Sequence, residues 1–144
     1  DLCALANARS IPIAAAITER FADLDEVYDI GDIDLHMSGC MNSCGHHHTG
    51  HIGILGIDKD GAEWYQVSVG GSDGSTLSGA SVPAKIIGPS FAAEEVPAVI
   101  QALIDTFRTQ RAANERFVDT ARRIGIAPFR QATDAVRRET AVAA

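Results

Sequence analysis

Two of the three cysteines and four of the five histidines lie in the stretch Ser38-Gly39-Cys40-Met41-Asn42-Ser43-Cys44-Gly45-His46-His47-His48-Thr49-Gly50-His51. Residues 33–37 before it alternate between apolar and polar side chains, which predicts a strand. Residues 52–57 after it form a short apolar run, which predicts a buried strand. The cysteines are therefore expected on a tight turn between two strands, where backbone N–H groups can point at an anionic group.

Thiols and imidazoles in this density predict a site for a metal or a metal cluster. Cys3, Cys40 and Cys44 with one histidine would complete a closed zinc site. Thiolates also suit iron–sulfur clusters, and a complete [4Fe–4S] site takes four of them. The chain has three cysteines, so the ligand count alone does not separate a zinc site from a cluster that lacks one ligand. Free buried cysteines are the remaining alternative.

The length, composition and charge of the chain narrow the class of protein. Its 144 residues indicate about one domain, and a hydrophobic content of 46% is enough for a core. The net charge of −7, from 12 basic and 19 acidic residues, argues against non-specific nucleic-acid binding. An odd number of cysteines argues against a closed disulfide framework. We find no signal peptide or membrane span, so we expect a cytoplasmic protein with reduced thiols.

Apolar periodicity and turn residues predict the other elements. They are a helix over 11–24 capped by Ser10, a strand over 52–58, a hairpin turn over 58–61, a strand over 63–69, a mobile surface loop over 72–81, an edge strand over 84–88, a helix from about Ser90 with an apolar stripe to Phe107, and a helix over 114–124 ended by Gly125. Residues 136–144 carry no strong signal. Arg122, Arg123 and Arg130 are interpreted as solvated charges.

The motif Gly39-Cys40-Met41-Asn42-Ser43-Cys44-Gly45 resembles the second cysteine pair of the sirohaem-dependent nitrite and sulfite reductases. In that family, this pair and an upstream Cys-x5-Cys pair bind one [4Fe–4S] cluster, and the last cysteine bridges the cluster to the sirohaem iron. The resemblance implies that Cys3, Cys40 and Cys44 are cluster ligands and that Cys44 is the bridge. It also implies that the first cysteine of the upstream pair lies just before Asp1.

The resemblance implies a fold and a domain extent as well. It covers residues 1–133, expected to be an N-terminally truncated iron–sulfur and sirohaem-binding domain, and leaves residues 134–144 as a C-terminal tail. The expected fold class is α+β, with a mixed sheet that lacks its first strand and with helices packed mainly on one face.

Four residues are expected to contact the cofactors: Asn42, Cys44, Gly45 and His46. Asn42 is alternatively an Asx-turn residue. The histidines either contact sirohaem carboxylates, donate protons or only pack, and at most two of the adjacent ones can face the cofactor. His36 is interpreted as structural.

The predicted function is that of the C-terminal, cofactor-ligating fragment of an assimilatory reductase that converts sulfite to sulfide with six electrons. Reduction of nitrite to ammonia by the same cofactors is one alternative, and a zinc-binding structural module is the other. The implied partners are a small inorganic anion as substrate and ferredoxin or a flavoprotein reductase as electron donor, with no nucleic acid and no membrane. The fragment alone is expected to be inactive, because the basic residues that grip the anion in this family have no match here.

Overall fold

The computed structural model describes residues 3–75 and 79–143, with side chains up to residue 137 in the last helix. Within these residues the helices are α1 (Ser10–Arg20), α2 (Leu24–Ile30), α3 (Val96–Gln110), α4 (Phe117–Ile124) and α5 (Ala127–Ala143). The strands are β1 (Leu35–Ser38), β2 (Ile52–Lys59), β3 (Ala62–Val69), β4 (Lys85–Ile86) and β5 (Phe91–Ala92). Short 3-10 helices lie at His47–Thr49 and Ala93–Glu95.

The strands form one mixed sheet. β1 pairs in parallel with β2, with Leu35 opposite Ile52. β2 and β3 form an antiparallel hairpin whose turn places Asp60 at φ 55° and Gly61 at φ 81°, as the sequence predicted for Gly61. β4 and β5 both pair antiparallel with β3, one near each of its ends.

One face of the sheet carries the core. Residues directly opposite each other on neighbouring strands share a face, so Ile52 and Ile54 of β2 point to the same side as Val69 and Val67 of β3. All four are buried against the apolar stripe of α3. That stripe is Val96, Val99, Ile100, Leu103, Ile104 and Phe107, and every one of these residues is buried. The predicted α+β class, with helices packed mainly on one face of a mixed sheet, is confirmed.

The first helical region differs from its prediction. α1 begins at Ser10 itself, Arg9 is the N-cap without a side-chain cap, and the helix ends at Arg20 instead of Leu24. A second helix follows, because the Asp23 carboxylate accepts hydrogen bonds from the N–H groups of Asp25 at 2.9 Å and Glu26 at 3.4 Å. An aspartate cap with acidic residues in the first turn is a sequence signal for a new helix.

The C-terminal half also contains elements that the sequence analysis did not predict. Helix α5 has Phe129 and Thr133 fully buried one turn apart, and no element had been predicted there. The helix predicted to start at Ser90 or in the following turn begins with the 3-10 turn Ala93–Glu95, which leads into α3 at Val96, whereas Ser90 itself precedes β5. The helix predicted from residue 114 begins at Phe117, and Gly125 ends it at φ 72°, as expected.

Two arginines interpreted as solvated charges have defined partners. Arg130 Nε donates to the Ile87 carbonyl at 2.7 Å. Arg123 binds the Glu115 carboxylate through Nε at 2.8 Å and Nη2 at 2.6 Å, and Nη2 also donates to the Gln110 carbonyl at 2.7 Å. Both arginines are exposed, as expected of solvated charges, and their side chains also tie α4 and α5 to neighbouring segments.

The Gly/Ser-rich loop predicted over 72–81 includes residues 76–78, which lie outside the described residues. Its first residue is not on the surface, because Ser72 is fully buried and pairs with Val82 through two backbone hydrogen bonds of 2.8 and 3.0 Å.

Candidate functional site

The segment between β1 and β2, residues 39–51, carries the predicted site and is called the cysteine connection below. The two strands that it joins are parallel, so the chain must travel back along the sheet before it enters β2. The prediction of a tight turn between two strands is wrong in this respect: the segment is a crossover without an α-helix.

The cysteine connection crosses the face of the sheet opposite the core. A Cβ on Gly53 would lie 2.0 Å from the His47 carbonyl oxygen, and Gly53 shares its face with Ser68 instead of with the core residues. A Cβ on Gly45 would lie 1.8 Å from the Met37 carbonyl oxygen, and the Gly45 N–H donates to Ser38 Oγ at 3.2 Å. The connection is therefore in direct contact with the strand backbones, with no room for a side chain at these glycines.

Successive turns determine which side each cysteine faces. The Ser43 N–H donates to the Cys40 carbonyl at 3.1 Å, and the His46 N–H donates to the Ser43 carbonyl at 2.8 Å. Ser43 and His46 adopt left-handed backbone conformations, with φ 58° and 52°. Such residues reverse the chain direction within a few positions. As a result Cys40 is buried, at 8% exposure, whereas Cys44 is exposed.

The segment that carries Cys3, residues 3–9, is called the cysteine arm, and it is bonded to the cysteine connection. The N–H groups of Asn7 and Ala8 both donate to the Gly39 carbonyl, at 2.9 and 3.0 Å. Gly39 directly precedes Cys40, so the two cysteine-bearing segments meet at one backbone carbonyl although they are far apart in sequence. Cys3 is exposed, like Cys44.

The donor set fits an iron–sulfur cluster in its chemistry, because three thiols lie on two segments that hydrogen-bond to each other. In the described part of the chain, however, no three Cys, His, Asp or Glu residues are grouped closely enough to hold a metal ion. This finding applies equally to a closed site of three cysteines and one histidine and to a cluster site, so it does not separate the zinc alternative from the cluster. The thiols are on adjoining segments but do not converge.

The consecutive histidines divide between solvent and the interior. His46 and His48 are exposed, and their rings stack with centroids 6.3 Å apart. His47 is half-buried, and its Nδ1 has no hydrogen-bond partner within the described residues. Burial, together with the neighbouring His48, lowers the pKa of His47 below its ordinary value. Two of the three imidazoles are therefore exposed, and the expectation that at most two can face a cofactor stays a prediction.

His51 is the most buried of the histidines, at 1% exposure, and it has a structural role that the sequence did not reveal. The Asp34 N–H donates to its Nδ1 at 3.1 Å, so Nδ1 carries no proton and Nε2 does. Nε2 faces the Asp34 carboxylate at 3.7 Å. Burial lowers the pKa of His51; Asp34 opposes this shift, whereas Arg116 and Arg122 reinforce it. The ring thus connects the start of β2 to the residue before β1.

Asn42 and His36 were given specific interpretations. The side chain of Asn42 is exposed and has no hydrogen-bond partner among the residues that the structure describes, so the Asx-turn alternative gains no support. His36 Nδ1 lies 3.1 Å from the His46 carbonyl, a contact that agrees with a structural role. The His36 ring thus contacts the backbone of His46, whose own ring is exposed.

A cluster of Arg9, Glu63 and Tyr65 was missed altogether. Tyr65 Oη lies 3.0 Å from the Arg9 carbonyl and 2.9 Å from Glu63 Oε2, which joins the cysteine arm to β3. Arg9 is more than fifty positions away from Glu63 and Tyr65 in the sequence, and no local pattern indicates the contact.

The described part of the chain has no helix that is both long and apolar enough to cross a membrane.

Comparison with known proteins identifies the family. The sequence model of the nitrite and sulphite reductase 4Fe-4S domain matches residues 33–139. The chain is 31% identical over 122 residues to the assimilatory ferredoxin-dependent nitrite reductase of Haloferax mediterranei, a match that covers 81% of this chain and 20% of that protein. It is 35% identical over 95 residues to the sulfite reductase [NADPH] hemoprotein beta-component of Methylobacterium sp. (strain 4-46), a match that covers 65% of this chain and 14% of that protein. The chain thus spans about a fifth or less of these relatives.

A solved structure has the same fold. The Mycobacterium tuberculosis NirA protein superposes with a TM-score of 0.67 at 22% identity, over 88% of this chain and 24% of that one. At that identity the likeness concerns the fold alone. The sequence match covers most of the chain and includes the cysteine connection, and the chain therefore belongs to the nitrite and sulphite reductase 4Fe-4S domain family.

Proposed function

We propose that this chain is the cofactor-ligating part of a reductase that converts sulfite to sulfide in a six-electron reaction. The observation that carries the proposal is the family match over residues 33–139, which includes both cysteines of the cysteine connection. The whole reaction needs more than this chain, because a complete [4Fe–4S] site takes four thiolates and the chain has three cysteines. The fourth ligand and the basic residues that hold the anion are assigned to the rest of the polypeptide.

Cys3, Cys40 and Cys44 would hold the cluster, and Cys44 would be the ligand shared with sirohaem. When bound, the two cofactors would supply single electrons to the substrate. Asn42, Gly45 and His46 would contact the cofactors. The exposure of Cys44, Asn42 and His46 supports this assignment, since a group that contacts a large cofactor must be reachable from outside the domain.

The surface around the cysteines has the composition that a macrocycle requires. Leu5 of the cysteine arm and Met41 of the cysteine connection are 68% and 80% exposed. A contiguous exposed apolar patch is typical of a surface that another group covers. The exposed rings of His46 and His48 add hydrogen-bond donors on the same cysteine connection, and carboxylates are groups that such donors bind.

Nitrite reduction to ammonia is the second candidate, supported by the 31% identity to the nitrite reductase over 122 residues. Match length does not favour either substrate, since relatives named as sulfite reductases match over 95 and 126 residues. Both candidates place the same demands on this chain: to hold the cofactors and to exclude alternative ligands. We assign the electron donor to ferredoxin or a flavoprotein reductase, and the location to the cytoplasm.

The proposal is tested by the iron content of the full polypeptide that carries this chain. Cys40→Ser should abolish cluster assembly, because a hydroxyl is a poor substitute for a soft thiolate ligand. Iron and acid-labile sulfide per polypeptide, together with the visible spectrum, measure this loss. The thermal midpoint of the cofactor-free protein is the control for folding. Unchanged iron content in the Cys40→Ser variant would show that Cys40 is not a ligand.

Turnover decides between the substrates. The purified holoenzyme should consume sulfite with a higher kcat/KM than nitrite when both are assayed with the same artificial electron donor. The opposite ratio would reject sulfite and leave nitrite as the substrate, without affecting the assignment of the cluster ligands.

A further inference from the structure

We propose that Tyr65 and Glu63, two residues of β3, are positioning residues that hold the cysteine arm (residues 3–9) in place beside Cys40. The role in placing a cluster ligand rests on the proposed function. The anchoring itself does not, because it is visible in the protein without any cofactor.

Tyr65 is buried to 1% exposure, yet its hydroxyl is not bonded within the core. Its oxygen lies 3.0 Å from the carbonyl of Arg9 and 2.9 Å from Glu63 Oε2, so its one proton is shared between two acceptors. Burial, and then the hydrogen bond with Glu63, raise the pKa of Tyr65 well above its ordinary value. The hydroxyl therefore stays protonated at neutral pH and donates to the backbone of the cysteine arm.

Glu63 holds the same residue from the other side. Its carboxylate accepts from the Arg9 N–H at 3.3 Å and from Arg9 Nε at 2.9 Å. Arg9 is the N-cap of α1 and provides no side-chain cap, so Glu63 supplies the negative charge that a helix N-terminus favours. Burial would raise the pKa of Glu63, but the hydrogen bonds from Tyr65 and Arg9 outweigh it and lower that pKa.

The Arg9 side chain is 71% exposed, and a surface ion pair contributes little. The contacts to the Arg9 backbone therefore carry the anchoring.

The anchor at Arg9 is transmitted to Cys3 through Ala8 and Asn7. Ala8 is 2% exposed and lies over Gly56 of β2, where a Cβ would come within 2.6 Å of the Ala8 Cβ. Gly56 is directly opposite Tyr65 in the sheet. Ala8 therefore packs against Gly56, while the Arg9 backbone bonds to Tyr65, its partner on the neighbouring strand. The N–H groups of Asn7 and Ala8 then reach the Gly39 carbonyl.

Beyond Asn7 the arm turns once before it reaches Cys3. The Ala6 N–H donates to the Cys3 carbonyl at 3.2 Å, which closes this turn. Fixing Arg9 and Ala8 therefore fixes the base of a short turn that carries Cys3. If the contacts of Arg9 with Tyr65 and Glu63 were lost, the arm would still be bonded to the cysteine connection by the two described backbone hydrogen bonds to Gly39.

The first test measures amide hydrogen exchange in the cofactor-free full polypeptide. Tyr65→Phe removes one hydroxyl and keeps the buried ring, and Tyr28→Phe removes a hydroxyl from a residue that is 90% exposed, which makes it the matched control. We expect the amides of Asn7 and Ala8 to exchange about fivefold faster in Tyr65→Phe, in line with the loss of one hydrogen bond. The amides of Ile54 and Val67 in the core should keep their wild-type rates.

The second test follows the reconstituted holoenzyme. In Tyr65→Phe we expect the cluster to lose its visible absorbance to an iron chelator several-fold faster, and its midpoint potential to shift, while Tyr28→Phe matches the wild type. Glu63→Gln should show the same two effects to a smaller degree, because it keeps the shape and one acceptor oxygen. It is also the variant to use if Tyr65→Phe does not fold.

Unchanged exchange at Asn7 and Ala8 in both Tyr65→Phe and Glu63→Gln would overturn the anchoring. Faster exchange with chelation rates and potential equal to those of Tyr28→Phe would show that the anchored arm does not position a ligand. A wild-type protein without iron and sulfide would instead reject the proposed function, and the exchange rates would still decide whether the arm is anchored.

Discussion

The cysteine connection (residues 39–51) and the serine-rich connection (residues 70–84, of which 76–78 lie outside the described residues) use glycine in opposite ways. In the cysteine connection, a Cβ on Gly39 or Gly45 would lie 2.8 or 1.8 Å from a backbone oxygen, although neither has a positive φ. In the serine-rich connection, Gly74 and Gly79 have φ values of 86° and 72°, and no atom lies within 3.4 Å of their Cβ positions.

This difference shows what determines the path of each segment. Tertiary contact with the sheet leaves the cysteine connection no alternative path, because strand backbones occupy the space on one side of it. Local dihedral preference places Gly74 and Gly79 in the serine-rich connection, since positive φ is what glycine tolerates and most other residues do not. The two segments touch where Gly71 meets Gly50, with a Cβ on Gly71 only 2.4 Å from the Gly50 carbonyl oxygen.

The largest expected effect on stability comes from replacing a glycine by alanine, once at a position of tertiary contact and once at a position of positive φ. Gly45→Ala should destabilise the protein by about 3 kcal/mol or more, because backbone must move to admit the Cβ, and Gly45→Val should be worse and should prevent cofactor binding. Gly74→Ala should cost about 1–2 kcal/mol, the strain of a left-handed alanine. Urea unfolding of the cofactor-free protein measures both. Equal losses of unfolding free energy in the two variants would refute the distinction between a glycine required by backbone contact and a glycine required by positive φ.

A smaller effect is expected from the buried imidazole that ends the cysteine connection. His51→Leu removes the acceptor for the Asp34 N–H and should cost about 1–3 kcal/mol. His51→Asn places an amide oxygen near the position of Nδ1 and should recover part of that loss. Chemical unfolding at pH 8 measures the two variants. A His51→Leu variant as stable as the wild type would show that the contact between His51 and Asp34 does not stabilise the connection.

The same residue gives the cysteine connection an acid sensitivity. Because the folded-state pKa of His51 lies below its ordinary value near 6.5, the unfolded chain binds the proton more readily than the folded one does. This contribution to stability is therefore complete above about pH 7 and is lost as the pH falls through the ordinary value towards the lowered one. The unfolding free energy should fall less steeply between pH 7 and 5 in His51→Asn than in the wild type. An identical slope in both would assign the acid sensitivity to other groups.

Much of this architecture was predictable because its signals are local. The apolar stripe of α3, the positive φ of Gly61 in the hairpin and the helix-ending Gly125 all follow from spacing within a few residues. The cysteine connection was predicted as the site segment because its thiols and imidazoles are adjacent in sequence, and their role as ligands stays a prediction. Its crossover path was not predicted, because the parallel pairing of β1 with β2 depends on the whole sheet.

The remaining features depend on contacts between distant residues. Nothing near Tyr65 in the sequence indicates that its hydroxyl bonds the Arg9 carbonyl, and nothing near Gly39 indicates that its carbonyl receives two amides from the cysteine arm. Helix α2 is a different case, because the Asp23 cap was present in the sequence, but α2 has no buried residue to give it a periodic pattern.

The smallest effect is expected from shortening the serine-rich connection. Removal of three residues between Asp73 and Ala80 leaves the pairing of Ser72 with Val82 intact, and that pairing closes the base of the loop. Loop-closure entropy changes slowly with length, so the unfolding free energy should change by less than about 1 kcal/mol. Turnover of the holoenzyme should stay within a factor of two, because the contacts between the two connections, among the described residues, lie at the ends of this segment. They are the bond from the Gly70 N–H to the His51 carbonyl, the close approach at Gly71 and the bond from the Ala84 N–H to the His48 carbonyl. Parallel urea unfolding and steady-state assays of the shortened protein and the wild type measure both quantities. A large loss of turnover with unchanged stability would mean that the tip of the loop covers the cofactors or a partner, and the two connections would then share one site.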